Sequence, residues 1–153
     1  MKNTLELKQT LFNSCLDFID SRFTTIQNTI NEIQESLTSE TKSSAGDKHE
    51  TGRAMLQLER EKAGNQLSEI NKIKVALSKI DVSKTTQTVG LGSIVFTSNS
   101  NYYIAISAGE LTAENKKFYA ISPNTPIGLL LMGKTVGDVA TFRGTQIEIT
   151  AVI

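Results

Sequence analysis

Apolar residues in the first half of the chain recur three and four positions apart, the repeat of a helix that buries one narrow seam. The pattern predicts a helix over residues 5–39, about 50 Å long at ~1.5 Å per residue. Leu5 lies one heptad before the first member of the seam. The seam consists of Phe12, Leu16, Ile19, Phe23, Ile26, Ile30, Ile33 and Leu37.

A polar segment rich in serine and threonine, residues 38–46, interrupts this pattern and predicts a turn. A second helical run follows over residues 47–80. Its predicted seam is strong near the end of the run, at Leu67, Ile70, Ile73 or Lys74, Leu77 and Ile80. The seam is poorer near the turn, at Met55, Leu58, Lys62 and Ala63.

Two helices of similar length joined by a short turn predict an antiparallel coiled-coil hairpin. A hairpin buries only one seam, so it needs length or an anchoring domain to be stable. A three- or four-helix bundle formed by oligomerisation is the alternative. The pattern favours the monomeric hairpin.

The second half of the chain has a different character, with both prolines and all three tyrosines. A small, mostly antiparallel sheet with one short helix is predicted here. Thr125 suits the N-cap of that helix, Pro126 its first position and Gly133 the position after its end. Polar turns at residues 98–101 and 143–145 predict hairpins. The predicted strands are residues 93–97, 102–106, 117–121, 139–142 and 146–152.

The change in composition predicts two domains joined by a polar linker at residues 82–88. Residues 1–82 would form the coiled-coil domain and residues 83–153 the β-rich domain. The predicted fold class is therefore α+β, with a long N-terminal hairpin followed by a small β-rich domain.

Composition excludes several classes of function. The chain has 153 residues with 16 basic and 16 acidic side chains, so its zero net charge argues against coating of nucleic acid. One cysteine, Cys15, and one histidine, His49, exclude a disulfide framework and a Cys/His zinc site within one chain. The chain shows neither a secretory signal nor an apolar run that would span a membrane, so we expect a cytoplasmic protein without a membrane partner. No cluster of nucleophile and base is evident, so we do not expect a stand-alone enzyme.

Two acids at the predicted turn are the candidate chemical site. Asp47 and Glu50 are three residues apart at the start of a helix, where positions i and i+3 share a face. Together they could bind a hard cation such as Mg²⁺, but two carboxylates hold it weakly unless a partner adds ligands. The alternative is structural, because Asp-x-x-Glu is also a capping-box pattern and acids favour the first turn of a helix.

These features resemble the GreA/GreB transcription elongation factors. The resemblance covers essentially the whole chain: a long coiled coil, the tip sequence at residues 46–50, and the β domain. The more specific part is residues 121–139, with the Ser/Thr-Pro-Ile turn formed by Thr125, Pro126 and Ile127, then Gly133-Lys134 and residues 136–139.

The resemblance implies an FKBP-like C-terminal domain that docks on bacterial RNA polymerase through Thr125, Pro126 and Ile127. The coiled coil would reach through the secondary channel of the polymerase. Asp47 and Glu50 would then share a Mg²⁺ ion with the polymerase, with none bound tightly by this chain alone. The polymerase itself would hydrolyse backtracked RNA, so contact with the nascent RNA 3′ end would be indirect.

The resemblance leaves three functions open. Family members commonly carry an aromatic and a basic residue after the tip; here the aromatic is absent, and Arg53 is the candidate for the basic, partner-binding residue. The leading interpretation is a factor that stimulates transcript cleavage. A channel-binding regulator without cleavage activity is the second. The third is a coiled-coil adaptor unrelated to transcription.

Overall fold

Two long helices precede a six-stranded sheet in the computed structural model, which describes residues 3–42 and 47–153, with side chains for 4–39 and 51–153. The helices are α1 (Asn3–Lys42) and α2 (Asp47–Ser78). The remaining elements are β1 (Ile94–Thr97), β2 (Asn101–Ile104), β3 (Gly109–Ala113), β4 (Lys116–Ile121), α3 (Pro126–Leu131), β5 (Val139–Phe142) and β6 (Thr145–Val152). The predicted α+β class, a long helical hairpin followed by a small β-rich domain, is confirmed, and the FKBP-like character of that domain stays a prediction.

Contacts group the chain into two compact units. One is Ile19–Ile73, called here the outer hairpin. The other, called the sheet unit, combines Met1–Phe18 with Lys74–Ile153, so it contains the start of α1, the end of α2 and the whole sheet. The sequence instead predicted two domains, residues 1–82 and 83–153, divided where the helices give way to strands. That domain division stays a prediction.

Within the outer hairpin, α1 and α2 pack against each other in antiparallel directions. Arg53, early in α2, lies beside Leu37, late in α1, with 3.4 Å between Arg53 Nη1 and the Leu37 carbonyl oxygen. Ile26 and Ile70 lie together at the base of a groove between the helices. The buried apolar residues of this seam are Ile19, Ile26, Ile30, Ile33 and Leu37 from α1, and Ala63 and Ile70 from α2. The predicted heptad is therefore confirmed over this part of α1.

Elsewhere on the helices the buried face differs from the predicted seam. In the sheet unit, Leu7, Leu11 and Cys15 are buried, whereas Leu5 is exposed and Leu16 is 37% exposed. Cys15 hydrogen-bonds with the backbone of Ile106. The face of α1 that packs here is set by the sheet as well as by α2, so it is rotated by one residue from the predicted seam.

The predicted weak seam of α2 is also wrong at three of its four positions, one of which is the exposed Lys62. Met55 and Leu58 are 62% and 60% exposed. Leu56 and Arg60 are half-buried in their place. The apolar face of this stretch is too sparse for periodicity to select between the two registers.

The sheet has the strand order β3-β4-β2-β1-β6-β5. Its pairs are antiparallel except for β2 and β4, which run parallel with Tyr103 opposite Ala120. The mostly antiparallel sheet and both predicted hairpins are thus confirmed. Strand β3 was not predicted, because its turn to β4 uses Glu114 and Asn115, which take φ of 52° and 62° without a glycine.

Both faces of the sheet are covered. On one face α3 packs over the core cluster Val89, Val95, Ile104, Leu131 and Ile149. Side chains alternate between the two faces along a strand, so the neighbouring residues Ile94 and Tyr103 point to the other face. Cys15 lies near Tyr103 on that face. The ends of α1 and α2 therefore share a core with the sheet.

Candidate functional site

The acid pair predicted as a metal site lies at the start of α2. Helix α2 begins at Asp47, so the backbone from Asp47 to Glu50 is helical and these positions share a face. The side chains of Asp47 and Glu50 lie outside the described residues. Among the side chains that are described, no group of three or more His, Cys, Asp or Glu could hold a metal ion.

Arg53 is half-buried and directed towards α1 rather than away from the hairpin. Its guanidinium donates a hydrogen bond to the carbonyl oxygen of Leu37 at 3.4 Å. Its position thus gives Arg53 a role in joining the two helices at this end of the outer hairpin.

The turn predicted to dock on a partner, residues 122–128, is held by its own hydrogen bonds. Thr125 Oγ1 donates to the Ser122 carbonyl at 2.8 Å and accepts from the Gly128 amide at 3.1 Å. The Ser122 hydroxyl accepts from the Asn124 amide at 3.0 Å. Thr125 is therefore the N-cap of α3, as predicted, and Pro126 occupies the first turn.

The turn and α3 approach each other closely because residue 128 is glycine. A Cβ at this position would lie 2.3 Å from the Ser122 carbonyl oxygen and 2.8 Å from Thr125 Oγ1. The end of α3 is also as predicted, with Gly133 at φ 80° just beyond the helix. The backbone is thus fixed both in the turn before α3 and at Gly133 after it.

The three residues of the predicted contact differ in exposure. Pro126 is exposed, whereas Thr125 is half-buried. Ile127 is half-buried and packs against the core cluster beneath α3. Leu129, one turn after Pro126, is among the exposed large apolar residues. Sequence reasoning did not select Leu129, although the three-residue spacing from Pro126 was a usable signal for a shared helix face.

Comparisons with known proteins give a limited result. No family model and no curated protein matches the chain. One similar solved structure is that of the GreA factor homolog 1 (Gfh1) protein of Thermus thermophilus, with 18% identity over 88% of this chain and 92% of that chain, and a TM-score of 0.35. A second, of the transcription factor Gfh1, has 18% identity over 88% of this chain and 90% of that chain, and a TM-score of 0.34.

The segment that follows α2 is attached to α1 by a buried lysine. Lys8 is buried and its Nζ donates to the Lys84 carbonyl at 2.6 Å. Burial lowers the pKa of Lys8, and the charge of Asp81 partly opposes this shift. The Ser83 hydroxyl and amide donate to Asp81 Oδ1 and lower the pKa of that carboxyl. These contacts order the predicted linker and attach it to α1. Composition alone could not predict this attachment, because Lys8 is far from the linker in the sequence.

A groove of about 570 Å³ runs between the helices of the outer hairpin. Ile26, Ile70 and Ile73 form its apolar part, and Arg22 and Glu69 are the charged residues that line it. The side chains that line the groove include no nucleophile beside a base. No helix among the described residues is both long and apolar enough to cross a lipid bilayer.

Proposed function

We propose that this chain is a Gre-like transcription elongation factor that binds bacterial RNA polymerase through its secondary channel in the cytoplasm. On this proposal it stimulates the polymerase's own hydrolysis of backtracked RNA and is not itself an enzyme. The observation that carries the proposal is the order of parts along the chain. A 40-residue helix comes first, the acid pair begins a second helix of 32 residues, and a sheet with an ordered Thr125-Pro126-Ile127 turn follows.

The turn supports a docking role because its conformation does not depend on a partner. Its hydrogen bonds and the close approach at Gly128 are internal. A surface that is already ordered loses little conformational entropy when it binds. This is the property expected of the part of the chain that anchors it on a large partner.

Asp47 and Glu50 would hold the shared Mg²⁺ ion in the complex. Their chemistry suits this ion, because carboxylate oxygens are the hard ligands that Mg²⁺ prefers. Two carboxylates leave most of its coordination positions to water and to groups of the polymerase. When bound, such an ion helps to generate and orient the attacking water in phosphodiester hydrolysis.

The test is transcript cleavage in halted complexes of purified bacterial RNA polymerase. Asp47→Asn and Glu50→Gln are each expected to lower the cleavage rate at least about tenfold, since groups that support a metal commonly contribute that much. Binding to the polymerase should change less than about twofold. Glu59→Gln, an exposed acid on the same helix, is the matched control and should cleave like the unmodified chain. Full cleavage by both variants would refute the metal role.

The second candidate is a channel-binding regulator without cleavage activity. The position of Arg53 favours it, because the guanidinium hydrogen-bonds to α1 within the hairpin. A guanidinium held in this way keeps its charge but directs one of its N–H donors to α1 instead of to an RNA phosphate. This candidate predicts polymerase binding with inhibition, or no effect, on backtracked complexes. The same cleavage experiment therefore separates the two functions.

A further inference from the structure

We propose that two copies of this chain associate through β5, with the two β5 strands pairing in antiparallel directions so that the two sheets become continuous. The inference goes beyond the proposed function and does not depend on it. It rests on the outward-facing backbone groups of β5, on the lack of charge within this strand, and on the opposite charges at its two ends.

The outer side of β5 presents free backbone groups. Strand β5 is the last strand of the sheet, so only one of its sides has a neighbouring strand. On that side the Ile149 amide donates to the Asp138 carbonyl at 2.9 Å, so the carbonyl of Asp138 faces β6. Backbone groups alternate in direction along a strand, so Ala140 also faces β6, whereas the amides and carbonyls of Val139 and Thr141 face outwards.

The hydrogen bonds of Glu148, the residue opposite Val139, agree with this alternation. The Glu148 amide donates to Ser98 Oγ at 3.0 Å, and its carbonyl accepts from the Ser98 amide at 2.9 Å, so Glu148 faces β1 and not β5. Among the described residues, none hydrogen-bonds to the outer side of Val139 or Thr141. Both side chains are exposed. The β5 edge is therefore open to a further strand.

The two edges of the sheet differ in charge. At the β3 edge, Glu110 is exposed and its carboxylate lies 3.9 Å from the ammonium of Lys117 on the neighbouring strand. Charged residues on an edge strand oppose pairing with another strand. Strand β5 has the sequence Val-Ala-Thr-Phe, which carries no charge and favours extended backbone. The β5 edge is therefore the one suited to pairing.

A second copy fits this edge in a symmetric register. A two-fold axis at Ala140 sets Val139 of each copy opposite Thr141 of the other. Because both residues face outwards, each of these two pairs exchanges two backbone hydrogen bonds. Ala140 meets its own equivalent at the axis, where the strands approach most closely and a small side chain fits.

Charge complementarity selects a second copy over an unrelated extended peptide. In this register Asp138 lies opposite Phe142 of the second copy. The Arg143 guanidinium carbon lies 5.1 Å from the centroid of the Phe142 ring within each copy, so the carboxylate of one copy approaches the guanidinium of the other. Asp138 Oδ2 accepts from the Thr135 amide at 2.8 Å, which leaves Oδ1 for this contact. The two-fold axis forms the ion pair twice.

The test is sedimentation equilibrium of the full chain alone. A pair of four-residue strands forms a small interface, so we expect a monomer–dimer equilibrium with a Kd on the order of 100 µM. A chain that stays monomeric at about 1 mM protein would overturn the inference.

Thr141→Pro locates the interface. It removes the outward amide of residue 141 and should weaken dimerisation at least about tenfold, since half of the new backbone hydrogen bonds depend on it. Proline is tolerated on an edge strand where the amide has no partner. Thr141→Val keeps the amide and is the matched control, so it should dimerise within about twofold of the unmodified chain. A dimer that Thr141→Pro leaves as tight would lie elsewhere and overturn the inference.

Arg143→Gln tests the charged contact. It should weaken dimerisation about threefold, the size of effect expected for exposed ion pairs, and should reduce the dependence of the Kd on salt. An unchanged Kd with an unchanged dependence on salt would contradict the symmetric register.

Hydrogen exchange of the unmodified chain, read residue by residue by NMR at low and high protein concentration, makes the test independent of the folding of any variant. The amides of Val139 and Thr141 should exchange more slowly at high concentration, whereas the amides of β3 at the opposite edge should not change. Slower exchange at β3 only, or at neither edge, would overturn the inference.

Discussion

The outer hairpin and the sheet unit differ in how completely their apolar residues are shielded from water. In the outer hairpin, the buried seam residues after Ile19 retain 4–8% exposure, and Ile19, the first residue of that unit, is fully buried. In the sheet unit, Leu11, Cys15 and Leu77 retain 0–1%, whereas Leu7, near the start of α1, retains 6%. The same two helices thus contribute to two kinds of core.

The difference follows from the number of elements that cover each helix. Among the described residues of the outer hairpin, each helix packs against the other helix, and the edges of the seam stay accessible to solvent. In the sheet unit the helix ends also meet the sheet, as the contact of Cys15 with Ile106 shows. Because less apolar surface is buried per residue, we expect the outer hairpin to open locally more readily than the sheet unit.

The largest expected effect is on the core of the sheet unit. Leu11→Ala should lower the free energy of unfolding by about 3 kcal/mol, because the side chain is fully buried and leaves a cavity. Chemical denaturation followed by circular dichroism measures this change. Leu5→Ala, at an exposed position of the same helix, is the control and should change stability by less than about 0.5 kcal/mol. A larger loss of stability in Leu5→Ala than in Leu11→Ala would mean that the predicted heptad, and not the observed face, is buried.

A smaller and more local effect is expected in the outer hairpin. Ile33→Ala should cost about 2 kcal/mol, at the low end for such a truncation, since the site faces a single partner helix. Hydrogen exchange should accelerate for amides of the outer hairpin and stay unchanged for amides of β1 and β2. Uniform acceleration across the chain would show that the two units unfold as one. It would contradict the expected difference in local stability between the outer hairpin and the sheet unit.

Alkaline pH should destabilise the sheet unit through Cys15. Burial raises the pKa of this thiol from 9.0 to about 11. The folded chain therefore keeps a proton that the unfolded chain releases, so the contribution is intact below pH 9 and is lost as pH rises towards 11. At pH 10 the loss is about 1.4 kcal/mol relative to neutral pH. Cys15→Ala should lack this component when denaturation is compared at pH 8 and pH 10. An identical pH dependence of the unmodified chain and Cys15→Ala would show that Cys15 does not cause the loss of stability at alkaline pH.

The smallest effect is expected at the hydroxyl of Tyr103. This oxygen is buried without a hydrogen-bond partner among the described residues, and burial raises the pKa of the phenol. Tyr103→Phe removes an unsatisfied polar group and keeps the ring, so it should leave stability unchanged or raise it by up to about 1 kcal/mol. Thermal unfolding measures the change. A loss above about 1 kcal/mol would reveal a partner of the hydroxyl.

Signals within a short stretch of sequence predicted the elements whose structure depends on residues close along the chain or on a simple repeat. Thr125, Pro126 and Gly133 marked both ends of α3, because capping chemistry acts within one turn of a helix. The heptad likewise predicted the outer part of α1, where one partner helix decides which face is buried. Both successes come from interactions between residues that are close along the chain, or from a simple repeat.

The failures have a non-local cause. The burial of Leu11 and Cys15 depends on the sheet, which lies about 80 residues or more further along the chain. Strand β3 was missed because Glu114 and Asn115 adopt a turn that usually signals itself by glycine. In the candidate site, the motif marked the turn, but which of its residues faces solvent follows from the packing of Ile127 on a core built from other strands.

The most direct test of the central claim is a titration of the labelled full-length chain with purified bacterial RNA polymerase core enzyme, read by fluorescence anisotropy. The proposed function predicts saturable binding with one copy of this chain per polymerase, and competition by the unlabelled chain. Absence of saturable binding by a chain that circular dichroism shows to be folded would contradict the account.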